Sequence, residues 1–182
     1  MTKRKVYIGK FTRDIMNEKN TALIIVDMQK DFAEEQFITS DIARIIESYK
    51  ELFANKSIPT YNFTSKAFGN TIPELKDYLS KVKDVTYLTK SPIVDSCFTN
   101  RKLLESLIEK GIDNVIVSGI SAPYCVYGTA KMAKLNGFNV HSSLDLVATQ
   151  KDRPEEMKNF EDWFYSNGDL CDSVKELCED ID

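Results

Sequence analysis

The chain has 182 residues, 42% of them hydrophobic and 29% charged, with a formal net charge of −4, which describes one globular domain with material for a sizeable core. Such mild acidity gives no reason to expect nucleic acid as a partner, and no apolar run approaches the roughly 20 residues that cross a membrane. A single histidine, His141, all but excludes His-based triads and multi-histidine metal sites. The start, MTKRKVYIGKFTRD, is charged but has no apolar segment after it, which argues against a signal peptide. Cys97, Cys125, Cys171 and Cys178 form no C-x-x-C pair, so free thiols and a cytoplasmic location are expected.

Residues 1–20 are polar and mixed and read as an extension ahead of a domain spanning 21–182; their basic cluster (Lys3, Arg4, Lys5, Lys10, Arg13) reads as a solvated arm. Ala22 to Val26 is a continuous apolar run ending at Asp27. Such runs suit strands buried on both faces, as in a parallel sheet. Residues 40–54 follow as a helix capped by Ser40, with Ile42, Ile45, Ile46, Tyr49, Leu52 and Phe53 on one face. Ile58 to Phe63 is a second strand, and Thr71-x-x-Glu74 has the form of a capping box for a short helix reaching about Ser80. Val85 to Thr89 is a third strand, ending at Lys90.

The spacing of Leu103, Leu104, Leu107 and Ile108 predicts a helix over 99–110, closed by Gly111. Asn114 to Ser118 is a fourth strand. A helix over 122–136 ends at Gly137, and Phe138 to Ser142 is a fifth strand. Pro154 opens a helix whose Met157, Phe160, Trp163 and Phe164 face inward. A sixth strand near Leu170 and a last helix from Ser173 complete the chain. Strands alternating with helices imply a three-layer α/β/α fold around a mostly parallel, doubly wound sheet.

Ligands of such sheets bind beyond the carboxyl ends of the strands. Asp27 and Lys90 each end a strand, and the fourth strand runs into Gly119-Ile120-Ser121-Ala122-Pro123-Tyr124-Cys125. Taken singly, a strand-terminal Asp caps a loop, a strand-terminal Lys is solvated, and a Cys is a small buried hydrophobe. Together they meet the needs of a thiolate nucleophile: a base for its proton and a cation for its charge. Pro123 fits the first turn of a helix, which places Cys125 where free N–H groups and the helix dipole are expected to lower a thiol pKa of about 8.5 by a unit or more.

The segment from Thr21 to Phe32 (TALIIVDMQKDF) resembles the opening strand of isochorismatase-like hydrolases, the relatives of isochorismatase, nicotinamidase and N-carbamoylsarcosine amidohydrolase. Lys90 followed by Ser96-Cys97-Phe98 is similar to their catalytic-lysine segment. Val115 to Ile120, then Ser121 and Cys125-Val126, is similar to their nucleophile segment, and Gly137, Val140 and Asp145 to the strand that follows. The likeness runs from residue 21 to about residue 178. It implies a six-stranded parallel sheet, Asp27, Lys90 and Cys125 as catalytic triad, and a non-proline cis peptide at Ile120–Ser121. It also implies an oxyanion hole made by the backbone N–H groups of Ser121 and Cys125, and assembly as a dimer or tetramer.

Two departures stand out. Nicotinamidases carry a metal site after the second strand, whereas Asn62 to Asn70 here holds no Asp, Glu or His, so neither metal nor other cofactor is expected. An aspartate often found two residues before the nucleophile is Pro123 here. Phe32, Phe63, Phe68 and Tyr124 are candidates for the pocket of a small-molecule substrate, each equally readable as a core aromatic. The reading that results is a metal-independent cysteine hydrolase of small amide or ureido compounds. Vinyl-ether hydrolysis of the isochorismatase type and an inactive scaffold remain its alternatives.

Overall fold

Every residue of β1, Thr21–Val26, is buried, because the strand lies between β2 (Thr60–Ser65) and β4 (Asn114–Ile120) and is covered on both faces. The computed structural model describes residues 16–182; most of the N-terminal extension, with its basic cluster, lies outside the described residues. Beyond β2 stands β3 (Val85–Lys90), and beyond β4 stand β5 (Asn139–Ser143) and β7 (Asp169–Cys171). The order is therefore β3-β2-β1-β4-β5-β7, with the two-residue β6 (Val147–Ala148) added on the end of β4. All of these ladders are parallel. Strand order reverses direction between β1 and β4, and in a doubly wound sheet the crevice opens at such a switch point.

Alternation along β1 divides the core in two. Leu23 and Ile25 face a cluster built with α1 (Lys30–Gln36), α2 (Thr39–Asn55), α3 (Pro73–Leu79) and α7 (Val174–Asp180). Ala22, Ile24 and Val26 face the other cluster, built with α4 (Arg101–Glu109), α5 (Tyr127–Leu135) and α6 (Met157–Asn167). The result is the three-layer α/β/α arrangement that the alternating pattern implies. Each Leu or Ile buried fully in these layers contributes about 1.5–3 kcal/mol. A polar thread also crosses the first interface: the buried Tyr49 hydroxyl donates to Ser118 Oγ at 2.9 Å, which donates to the Ile24 carbonyl at 3.0 Å. Met16 is buried in the first cluster, and residues 16 and 18 exchange backbone hydrogen bonds with Asp182.

Several local expectations need correction. Ser40 does not cap α2; the helix starts at Thr39 behind Ile38, with no side-chain cap. Thr71 and Glu74 form no capping box. Thr71 Oγ1 instead accepts from Asn62 Nδ2, Glu74 pairs with Lys50, and Pro73 starts α3. Ile108 is 65% exposed, because α4 buries only the narrower stripe of Leu103 and Leu107. Two elements, α1 and β6, were not expected. The helix over 122–136 is really two pieces, a five-residue π turn over Ala122–Val126 and then α5. Among the described residues, no helix is long and apolar enough to cross a membrane.

Candidate active site

The carboxyl ends of β1 and β4 approach unusually closely. A Cβ on residue 119 would stand 2.1 Å from the Val26 carbonyl oxygen, and Gly119 has φ +108°, so glycine alone fits. Asp27 leaves β1 with φ +50°, and the next bond after Ile120, Ile120–Ser121, is a cis peptide. The Ser121 carbonyl then accepts from the N–H groups of Tyr124 and Val126, both at 3.2 Å, closing the π turn that presents Cys125. Such widened turns recur at functional sites. The backbone N–H groups of Ser121 and Cys125 stand at the two ends of this loop.

Lys90 arrives from β3, on the far side of β2, and its stem reaches across to the switch point. Its ammonium lies 2.9 Å from Asp27 Oδ2, and neither side chain has any exposed surface. The same Nζ donates to Cys125 Sγ at 3.5 Å and to the Val94 carbonyl at 3.2 Å. Acid, amine and thiol from three distant stretches of chain therefore meet. Both Asp27 oxygens are buried, and the 2.9 Å contact with Lys90 is an ion pair closed off from water.

Burial raises the Asp27 pKa above the usual carboxylate range, although the Lys90 charge and the hydrogen bonds from Lys90 and Cys125 oppose it. Burial alone would lower the Lys90 pKa, but the negative charges of Asp27 and Cys125 hold it above the ordinary ammonium value. Cys125 is pushed up to about 12 by burial and then by Asp27, against the pull of Lys90. The expected lowering of this thiol is thus corrected: the neighbouring carboxylate and the dry site outweigh the turn's dipole. One cation here supports one anion. A proton moving from Cys125 to Asp27 would leave the net charge of the site unchanged.

Of the four candidate pocket aromatics, Phe32 and Phe68 stack at 4.6 Å between ring centroids. Phe63 is fully buried among the residues of the second core cluster and has no surface to offer a substrate. Tyr124 is half-buried, and its hydroxyl accepts from Arg153 Nη1 at 2.7 Å. His141 lies 3.3 Å from Asn114 Oδ1 and 3.5 Å from Asp169 Oδ2, near the amino ends of the strands and away from the triad. Asp145 accepts from the Val174 N–H at 3.1 Å. Sequence reasoning missed Gln29. Its buried amide accepts from the Ser65 N–H at 2.6 Å and donates to the carbonyls of Ser65 and Gly69, which ties the loop carrying Phe68 down beside Asp27. Its signal was its place two residues after a candidate aspartate. A cavity of about 380 Å³ bounded by Thr89, Ser91, Val94 and Arg101 adjoins the Lys90 segment, while one of about 190 Å³ at Asn139, Tyr165 and Asp169 lies at the amino ends of β5 and β7. Asp27, Lys90 and Cys125 line neither. Among the described residues, no three His, Cys, Asp or Glu side chains are grouped so as to hold a metal ion.

Residues 21–173 match the family model described as the isochorismatase domain. The chain is 28% identical over 145 residues to YrdC of Bacillus subtilis, an uncharacterized isochorismatase family protein, covering 72% of this chain and 75% of that one. In structure it is similar to the MAR1 Ribonuclease from Caenorhabditis elegans, with a TM-score of 0.72 and 25% identity over 92% of this chain and 83% of that chain. It also resembles the YcaC gene product from Escherichia coli, an octameric hydrolase of unknown specificity, with a TM-score of 0.76 over 96% of this chain and 84% of that one. At 18% identity, this last likeness concerns the fold alone.

Proposed function

The chain belongs to the isochorismatase family, and from that premise we propose that it is a metal-independent cysteine hydrolase that cleaves the C–N bond of a small amide or ureido compound. One observation carries the proposal: a single buried ammonium stands 2.9 Å from Asp27 and 3.5 Å from Cys125.

The thiol proton passes to Asp27, whose pKa burial holds above the usual carboxylate range. Lys90 stays charged throughout and stabilises whichever neighbour bears the negative charge. The thiolate attacks the carbonyl carbon, and the N–H groups of Ser121 and Cys125 receive the developing oxyanion. Asp27 returns the proton to the leaving nitrogen as the C–N bond breaks, leaving a thioester on Cys125. Water, deprotonated by Asp27, attacks the thioester, and the departing thiolate recovers the proton. The net reaction adds one water across the C–N bond. With Phe63 fully buried, Phe32, Phe68 and Tyr124 are the aromatic candidates left for shaping the acyl site.

The family description itself favours a second reading, hydrolysis of a vinyl ether. A cysteine is not essential for that chemistry, so the Lys90–Cys125 contact weighs towards the amide. We further propose a cytoplasmic protein that works as a homo-oligomer, a state that light scattering on the eluted protein would test.

Ammonia release from a panel of small amides and ureido acids, nicotinamide included, tests the proposal, with wild type and Cys125→Ala side by side and no added metal. Release by wild type alone is expected. Full turnover by Cys125→Ala would sink the nucleophile, and release only of vinyl-ether products would shift the reaction class. RNA belongs in the panel because of the likeness to the MAR1 Ribonuclease.

A further inference from the structure

Lys90 ends β3 and Cys125 follows β4, strands that are not neighbours in the sheet, yet one short segment, residues 94–97, touches Lys90 directly and reaches Cys125 through Thr129. The Val94 carbonyl accepts from Lys90 Nζ at 3.2 Å. Three residues later, the Cys97 N–H donates to Thr129 Oγ1 at 3.1 Å, and the Thr129 hydroxyl donates onward to the Cys125 carbonyl at 2.7 Å. Thr129 has no exposed surface, so water does not replace these bonds. Between the two anchors, Gly128 lies flat against Asp95. A Cβ on residue 128 would stand 2.7 Å from the Asp95 carbonyl oxygen and 2.9 Å from its Cβ.

The turn bearing Cys125 is a single π turn, with one residue more per ring than an α-helix, a form that is rare and short-lived along a chain. Its own backbone holds the nucleophile less firmly than a regular helix would, and an outside anchor has correspondingly more to do. We infer that Thr129, seated by Gly128, is a positioning residue that fixes Cys125 Sγ at its distance from Lys90 Nζ by clamping the nucleophile turn to the same segment that holds the ammonium. The inference rests on Cys125 being the nucleophile and Lys90 its charge partner, and it is independent of the substrate.

The test is the rate of Cys125 alkylation by iodoacetamide, read by peptide mass spectrometry on the full chain, which needs no substrate. Below the thiol pKa this rate follows the thiolate fraction, about tenfold per pKa unit. Loosening the clamp weakens the 3.5 Å contact with Lys90, while the burial that opposes the thiolate remains. Thr129→Val should therefore slow alkylation at least about fivefold, and Thr129→Ser, which keeps the hydroxyl, should stay within about twofold of wild type. In a Lys90→Met background, the Thr129→Val effect should shrink to under about twofold, because the partner being positioned is gone. Gly128→Ala, which presses the turn off Asp95, should slow alkylation like Thr129→Val and replaces it should that variant not fold. The inference falls if Thr129→Val or Gly128→Ala reacts as fast as wild type. It also falls if Thr129→Ser is as slow as Thr129→Val, or if the full Thr129→Val effect persists without Lys90. If wild type hydrolyses no amide while these alkylation results hold, the proposed reaction fails and the positioning role stands.

Discussion

Replacing Asp27 with Asn should make the protein a worse catalyst and its cysteine a better nucleophile. The amide keeps the shape of the carboxylate but removes both its charge and its capacity to accept the thiol proton. Cys125 Sγ and Asp27 Oδ2 lie no more than about 6.4 Å apart, since both sit on the Lys90 ammonium at 3.5 Å and 2.9 Å. Two unit charges no farther apart than that repel by at least about 2.6 kcal/mol at an effective dielectric constant of about 20. That energy corresponds to about two pKa units, or close to a hundredfold in the thiolate fraction. The Cys125 pKa should therefore fall well below its wild-type position of about 12, because Lys90 then stabilises the thiolate against burial alone. Turnover should drop by about 10²–10⁴-fold, the usual contribution of a general base. Iodoacetamide alkylation of Cys125 across pH 6–10, beside initial rates on whichever amide wild type accepts, measures both effects. If Asp27→Asn is alkylated no faster than wild type, Asp27 does not hold the thiol protonated. If it keeps more than a tenth of wild-type turnover, Asp27 is not the base.

Two other outcomes follow from the same geometry. Because burial raises the Asp27 pKa and only the ionised form accepts a proton, the acid limb of the kcat/KM profile should lie above the ordinary carboxylate range. Activity should then be present above that pKa and lost as pH falls through it; a limb at the usual carboxylate value would contradict the assignment. Gly119→Ala should destabilise the fold by more than about 3 kcal/mol, because its Cβ would meet the Val26 carbonyl at 2.1 Å in a backbone conformation with positive φ. Denaturant unfolding measures this, and a variant as stable as wild type would show that β1 and β4 can separate without cost.

The sequence alone carried the layer architecture. Continuous apolar runs such as Ala22–Val26 and Val115–Val117 require cover on both faces, and the helices between them supply it. It also carried the three candidate side chains, because Asp27, Lys90 and Cys125 each stand just past or at the end of a run that alternation directs to the same sheet edge. Caps were legible where a side chain truly competes for the first N–H groups, as at Ser173, which accepts from the Glu176 N–H, and illegible where another partner wins, as when Asn62 takes Thr71. Tertiary packing decided the rest. Strand order depends on which runs pair, and that order brings Lys90 across β2 to Asp27. The dryness that reverses the expected direction of the Cys125 pKa and the clamp through Thr129 both depend on groups far apart in the chain. Local pattern records which residues seek burial or a turn. Which distant charge they are buried beside is settled only when the sheet closes, because electrostatic energies depend on separation in space and on the water excluded between the groups.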